Sequence, residues 1–104
     1  MGGGMSAWTP GPWQWFETES GVARVNPVGG GLVIAECSTR NPFDEEQRAT
    51  ARLIAAAPAM YEALKMLHDE TADYVRLNYL GDPHHNRSMQ LARAALSSAT
   101  GETK

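Results

Sequence analysis

Between Cys37 and Asp44 the apolar pattern of this 104-residue chain changes period, and that change decides its fold class. Before it, apolar residues come in short runs set off by glycine and proline. After it, they recur every three or four positions. Short runs bounded by turn residues read as strands, and a three-to-four spacing reads as helix with one covered stripe. The order of the two patterns makes the chain α+β: a short N-terminal antiparallel β-sheet packed on a C-terminal helical hairpin. The length fits a single domain over residues 1–104, with roughly two-thirds of the unfolded surface buried on folding.

Residues 1–8 read as a flexible leader, with Met5 behind the glycine run as the natural start, and residues 9–37 hold the sheet. Thr9-Pro10-Gly11-Pro12 forms a rigid turn, since each proline fixes its own φ and biases its predecessor toward extended backbone. Three strands follow, Trp13–Thr18, Val22–Asn26 and Leu32–Cys37, separated by Glu19-Ser20-Gly21 and by Pro27 to Gly31. The third is apolar on both faces until Glu36, which predicts a central position in the sheet. Trp8, Trp13, Trp15 and Phe16 make the N-terminal stretch dense in aromatics. A sheet apolar on both sides needs a second covering surface, so core on one side and a subunit interface on the other is expected.

The helical part covers residues 44–98, broken near Pro58 and at 81–85. Asp44, Glu45 and Glu46 place acid where the helix dipole favours it. Leu53, Ile54, Ala57, Tyr61, Leu64, Leu67 and Val75 keep helical spacing. Proline is accepted in the first turn and rejected in the interior, so a short helix ends near Ala56 and a second starts at Pro58, with a single kinked helix as the alternative. The second runs to about Leu80, with Gly81 as its left-handed closing residue. A third, from about Asn86 to Ser98, turns Met89, Leu91, Ala92, Ala95 and Leu96 inward and returns along the second as a hairpin. Met60, Met66 and Met89 read as core gap-fillers, and Gly101 to Lys104 as a frayed end.

Charge and cysteine usage exclude several function classes. Arg24 and Arg40 against three glutamates give −1 over residues 1–43, and seven basic against nine acidic groups give −2 over residues 44–104. Neither half is a basic surface, which argues against non-specific nucleic-acid binding. Cys37 is the only cysteine; it can form no internal disulfide and no paired-cysteine zinc site, and reads as a small buried strand residue. No apolar run nears the roughly 20 residues that span a bilayer. No secretion signal opens the chain, so host cytoplasm and no membrane association are expected.

Candidate chemistry concentrates at the sheet–helix junction. Arg48 and Arg52 lie four residues apart on one helical face, where two guanidinium groups can clamp a phosphate or carboxylate. The plainer alternative is local pairing of Arg48 with Asp44 and Glu45. Arg40, Asn41 and Phe43 add a polar loop and an aromatic platform, completing a candidate ligand site of Arg48, Arg52, Phe43, Asn41 and Arg40. Asp82, His84 and His85 carry metal-ligating atoms, but His68 is remote in sequence and no third or fourth ligand joins them, so no metal site is expected. Gly29-Gly30-Gly31 precedes a strand and lacks a following Lys-Ser or Lys-Thr, which makes it a hairpin turn rather than a phosphate loop. No nucleophile–base grouping, metal set or cofactor loop appears, so no enzyme activity and no cofactor are expected.

Thr9-Pro10-Gly11-Pro12-Trp13, Ala51-Arg52-Leu53-Ile54-Ala55-Ala56-Ala57-Pro58 and Ala92-Arg93-Ala94-Ala95-Leu96 resemble a group of small phage and prophage proteins. In that group a Thr-Pro-Gly-Pro-Trp opening precedes a short sheet, and an Asn-Ala-Arg-Leu-Ile-Ala-Ala-Ala-Pro signature begins the helical part. Here Thr50 stands where the signature has asparagine. The layout is also similar to the Thoeris anti-defence sponges of phages, oligomers that sequester cyclic ADP-ribose-type and cyclic-nucleotide signals. These resemblances imply a non-enzymatic phage accessory protein of counter-defence type. It would bind and sequester a small anionic nucleotide-type signal, a cyclic nucleotide or ADP-ribose-type ligand, as a homo-oligomer. The alternative they leave is a protein–protein inhibitor of a host defence enzyme, similar to an anti-CRISPR.

Overall fold

A computed structural model describes residues 8–101; residues 1–7 of the expected leader and residues 102–104 of the expected frayed end lie outside that range. The chain packs as two units, residues 1–59 and residues 60–104. The α+β expectation holds, with an antiparallel sheet followed by helices.

In the first unit, β1 (Trp13–Glu17), β2 (Ala23–Pro27) and β3 (Ala35–Cys37) form a sheet in the order β1-β2-β3, followed by helix α1 (Glu45–Ala55). Trp13 pairs with Pro27 and Glu17 with Ala23, and on the other side Ala23 pairs with Cys37 and Val25 with Ala35. Alternation turns Ala23, Val25 and Cys37 inward, where they meet Ala51 of α1, with Trp13, Trp15, Ile34 and Ile54 around them. Ala23 and Ala51 have no exposed surface. Their small side chains let the helix lie close on the sheet, and the tryptophans supply most of the apolar area around that contact. Cys37 is buried, as its strand position predicts.

One expectation for the sheet is corrected. The third strand is an edge of three residues, not a central run from Leu32; β2 holds the centre, and Leu32 is 88% exposed. The glycine turn Gly29–Gly31, all at positive φ, carries the chain past Leu32 and Val33 before pairing begins. One helix covers one face, so a strand apolar on both sides gains nothing from a central place. The strand aromatics divide between the two faces. Trp13 and Trp15 share the inner side, while Phe16, Arg24 and Glu36 pair across the outer side. There Arg24 Nε donates to Glu36 Oε2 at 2.7 Å.

Buried Gln47 ties the loops of this unit together. It is 1% exposed. Its Nε2 donates to the Gly21 carbonyl, and its Oε1 accepts from the Thr39 amide at 3.1 Å. Gly21 sits at φ +88°, where a Cβ would fall 2.8 Å from the Phe43 ring. Only glycine meets both demands. At the helix start, Asp44 caps α1, accepting from Glu46 N and from the Thr39 hydroxyl at 2.6 Å. The helix ends at Ala55, Ala56 closes it, and α2 (Ala57–Leu77) begins one residue before Pro58, in line with the expected break. Gly11 lies against Pro58, where a Cβ on Gly11 would come 2.7 Å from the proline Cβ. The Thr-Pro-Gly-Pro turn and the Ala-Ala-Ala-Pro break are thus two sides of one contact.

The second unit is the helical hairpin of α2 and α3 (Arg87–Thr100). Tyr61 and Lys65, early in α2, line the same cleft as Ser97 and Thr100, late in α3, so the two run antiparallel as expected. Asn86 caps α3 through a bond from Met89 N, and Gly101 closes it at φ +80°. The end of α2 differs from expectation. The helix stops at Leu77, and Tyr79, not Gly81, takes the left-handed position at φ 55°. The Leu80 amide reaches back to the Val75 carbonyl at 3.0 Å, the six-to-one bond that closes a helix through a left-handed residue.

Burial in this unit is sparse: Ala72, Pro83 and Met89 are its buried residues among those described. Met89 packs as expected, but Met60 and Met66 are exposed, as are Leu67 and Leu91, which helical spacing alone had turned inward. Among the described residues no helix is long and apolar enough to cross a membrane.

Candidate functional site

At the junction, the two arginines expected to clamp an anion meet carboxylates of the chain itself. Arg48 extends from α1 to the end of β1, where its Nε donates to Glu17 Oε2 at 2.8 Å and its Nη2 to Glu17 Oε1 at 3.2 Å. Both prongs of the guanidinium fork are engaged. The Glu17 hydrogen bond, followed by the pair's charge attraction, pushes the Arg48 pKa upward. Arg52 donates to Glu45 Oε2 at 2.6 Å, and its guanidinium carbon lies 5.7 Å from the Trp15 ring centre. Local pairing is therefore the pattern, although Arg48 chooses Glu17 across the sheet rather than Asp44 or Glu45. Phe43, at φ 56°, lies over Gly21 and donates its amide to the Gly21 carbonyl at 2.9 Å. The Asn41 carbonyl accepts from the Thr39 hydroxyl. Arg40 is exposed. The five residues lie in one stretch of the fold, and Arg48 and Phe43 tie the sheet, loop and helix together.

A cleft of about 220 Å³ lies between α2 and α3, lined by Tyr61, Lys65, His68, Asp69, Arg93, Leu96, Ser97 and Thr100. Helical spacing places Tyr61, Lys65 and His68 on adjoining turns of one side of α2, while Arg93, Ser97 and Thr100 do the same on α3. Lys65 pairs with Asp69 four residues on, at 3.0 Å. Hydrogen bonds from His68 and then Lys65 hold the Asp69 carboxyl below its ordinary 3.8. Arg93, which lines the cleft, has no carboxylate within ion-pair distance among the described residues.

The hairpin also brings together two histidines that are remote in sequence. His68 Nε2 and His84 Nε2 are 2.7 Å apart, with the rings stacked at 4.9 Å between centres. The ionised Asp69 carboxylate only accepts, so His68 donates to it from Nδ1, at 3.1 Å. His68 Nε2 is then the acceptor and His84 Nε2 the donor of the bond between them. His85 stays exposed, and among the described residues no group of three or more histidine, cysteine, aspartate or glutamate side chains is arranged to hold a metal ion.

The cleft thus sets the Arg93 guanidinium, a group suited to phosphate or carboxylate, beside Ser97, a Lys65 ammonium held by Asp69, and a His68 imidazole bonded to Asp69 and His84. Sequence reasoning missed Lys65, Arg93, Ser97 and Thr100. The available signal was Arg93 itself, a lone charge in the run Ala92-Arg93-Ala94-Ala95 with no acid at i±3 or i±4.

No curated protein and no solved structure matches the chain. A family model described as Salmonella phage P22 protein Y8K6 matches residues 2–103, nearly the whole length. The expected phage origin is therefore met at the level of the family. The chain belongs to the Salmonella phage P22 protein Y8K6 family.

Proposed function

We propose that this phage protein is a non-enzymatic accessory factor of counter-defence type that holds a small anionic, nucleotide-type ligand in the α2–α3 cleft, in the cytoplasm of the infected host. The observation that carries the reading is Arg93, without an ion pair among the described residues, in a cleft that Lys65 and His68 also line. Arg48 and Arg52 are less suited, because each would have to give up a carboxylate it already holds. A volume of about 220 Å³ suits one phosphate-bearing moiety rather than a whole dinucleotide; a larger signal would have to extend out of the cleft. Ligand that binds only the folded state raises stability by mass action, about 2.7 kcal/mol at a hundredfold excess over Kd. Thermal unfolding with inorganic phosphate, AMP, cyclic dinucleotides and cyclic ADP-ribose isomers tests this. At least one nucleotide should raise the midpoint of the wild type and of Arg52→Ala but not of Arg93→Ala. No shift across the panel would remove the reading.

The alternative, a protein inhibitor of a host enzyme, is favoured by one observation. Leu77, Tyr79 and Leu80 form an exposed apolar tip, and Tyr79 is 94% exposed while held in left-handed backbone. An exposed aromatic in costly backbone is a frequent mark of a contact residue. Loss of activity against a defence enzyme in Tyr79→Ser, with the fold and nucleotide response retained, would favour the inhibitor.

A further inference from the structure

Helix α2 carries a second apolar seam besides the one that faces α3. Met60, Ala63, Leu67, Glu70, Tyr74 and Leu77 follow the alternating three- and four-residue steps of a heptad, with one charge among them. A heptad repeat of this kind is the pattern of a helix that packs against a partner helix. Tyr61, His68 and Ala72, by contrast, fall on the side that lines the cleft or is buried. Met60, Leu67, Tyr74 and Leu77 are all more than half exposed, and Met66 beside them is 61% exposed. Every exposed large apolar side chain of α2 lies on or beside this seam.

We propose that the seam binds a second copy of this chain, with the two α2 helices antiparallel about a two-fold axis midway between Leu67 and Glu70. The pattern is self-complementary in that register. Met60 meets the partner's Leu77, small Ala63 meets the partner's Tyr74, and Leu67 meets the partner's Glu70. Two-fold interfaces require this reciprocity, in which one patch serves both partners. Covering these side chains removes on the order of 600 Å² per chain from water, near the ~800 Å² per partner of a standard interface. Glu70 is the one unfavourable group. The two-fold brings the two carboxylates within about one helical turn of each other, which sets the strength of the dimer below that of an uninterrupted seam.

The test is sedimentation equilibrium of the full chain with α2 variants. Wild type should sediment at twice the chain mass at micromolar to tens-of-micromolar concentration. Leu67→Glu should sediment at one chain mass with an unchanged far-ultraviolet circular dichroism spectrum, because Leu67 is exposed in the single chain. Glu70→Gln should tighten association about tenfold. Ala63→Cys with Tyr74→Cys should give a disulfide-linked dimer on mild oxidation, whereas either single variant should not. A monomeric wild type at 100 µM, a dimer indifferent to Leu67→Glu, or a dimer in which the cysteine pair does not cross-link would each overturn the proposal.

Discussion

At the scale of single residues, polar groups fix the first unit more sharply than its apolar ones do. Gln47 is enclosed with both ends of its amide bonded, one to the β1–β2 turn and one to the loop before α1. Replacing it by methionine keeps the shape but leaves the Thr39 amide unpaired, while the Gly21 carbonyl keeps its bond from Phe43. An orphaned buried donor together with the lost bonds costs about 2–3 kcal/mol, and denaturant unfolding of Gln47→Met should show that loss at an unchanged m-value. A glutamine in a helical first turn looks like any surface residue, and nothing in the linear sequence marks it as enclosed. Asp44 is legible as acid at a helix start, and the structure gives it a measurable consequence. The Thr39 hydroxyl and the Glu46 amide hold its carboxyl below 3.8. The unfolded chain therefore takes up the proton first. The stability Asp44 contributes is complete above about pH 4 and is lost as pH falls through its lowered native value. Asp44→Asn should flatten the acid limb of the stability–pH profile below pH 4 and leave the neutral region nearly parallel to wild type. An acid limb unchanged by the substitution would refute this assignment.

At the scale of elements, legibility follows how local the controlling interaction is. The break at Pro58 was readable because proline decides it alone. The extent of β3 was not, because Leu32 to Cys37 has the composition of a central strand and only the single covering helix limits it to Ala35–Cys37. The end of α2 misleads for a related reason. Gly81 is the obvious closing residue, yet Tyr79 occupies the left-handed position two residues earlier. A non-glycine residue there costs about 1 kcal/mol or more relative to glycine. Since Tyr79 is almost fully exposed, Tyr79→Gly forfeits no packing and should raise the stability of the purified chain by about 0.5–1 kcal/mol, after allowing for the greater entropy of unfolded glycine. A destabilised Tyr79→Gly would mean that the tyrosine makes contacts the single chain does not show.

At the scale of the whole molecule, the sheet with α1 has a packed interior, whereas the α2–α3 hairpin has a thin one and carries the exposed apolar seam and the donor-lined cleft. Under the proposed function, the first unit is scaffold and the second is the working surface. The site anticipated around Phe43 to Arg52 was legible as charged and aromatic, but sequence could not show that Glu17, thirty-one positions from Arg48, already fills the guanidinium fork. Nor could it show that the hairpin brings His68 to His84 or leaves Arg93 without an ion pair among the described residues, since those relations depend on how two helices pair. The most direct test of the account is an amide chemical-shift titration of the labelled chain with the nucleotide that gives the largest thermal shift, followed by the same titration of Arg93→Ala. The account predicts perturbations gathered at Tyr61, Lys65, His68, Arg93, Ser97 and Thr100 that vanish in the variant. Perturbations gathered instead at Arg40, Phe43, Arg48 and Arg52, and surviving in Arg93→Ala, would contradict it.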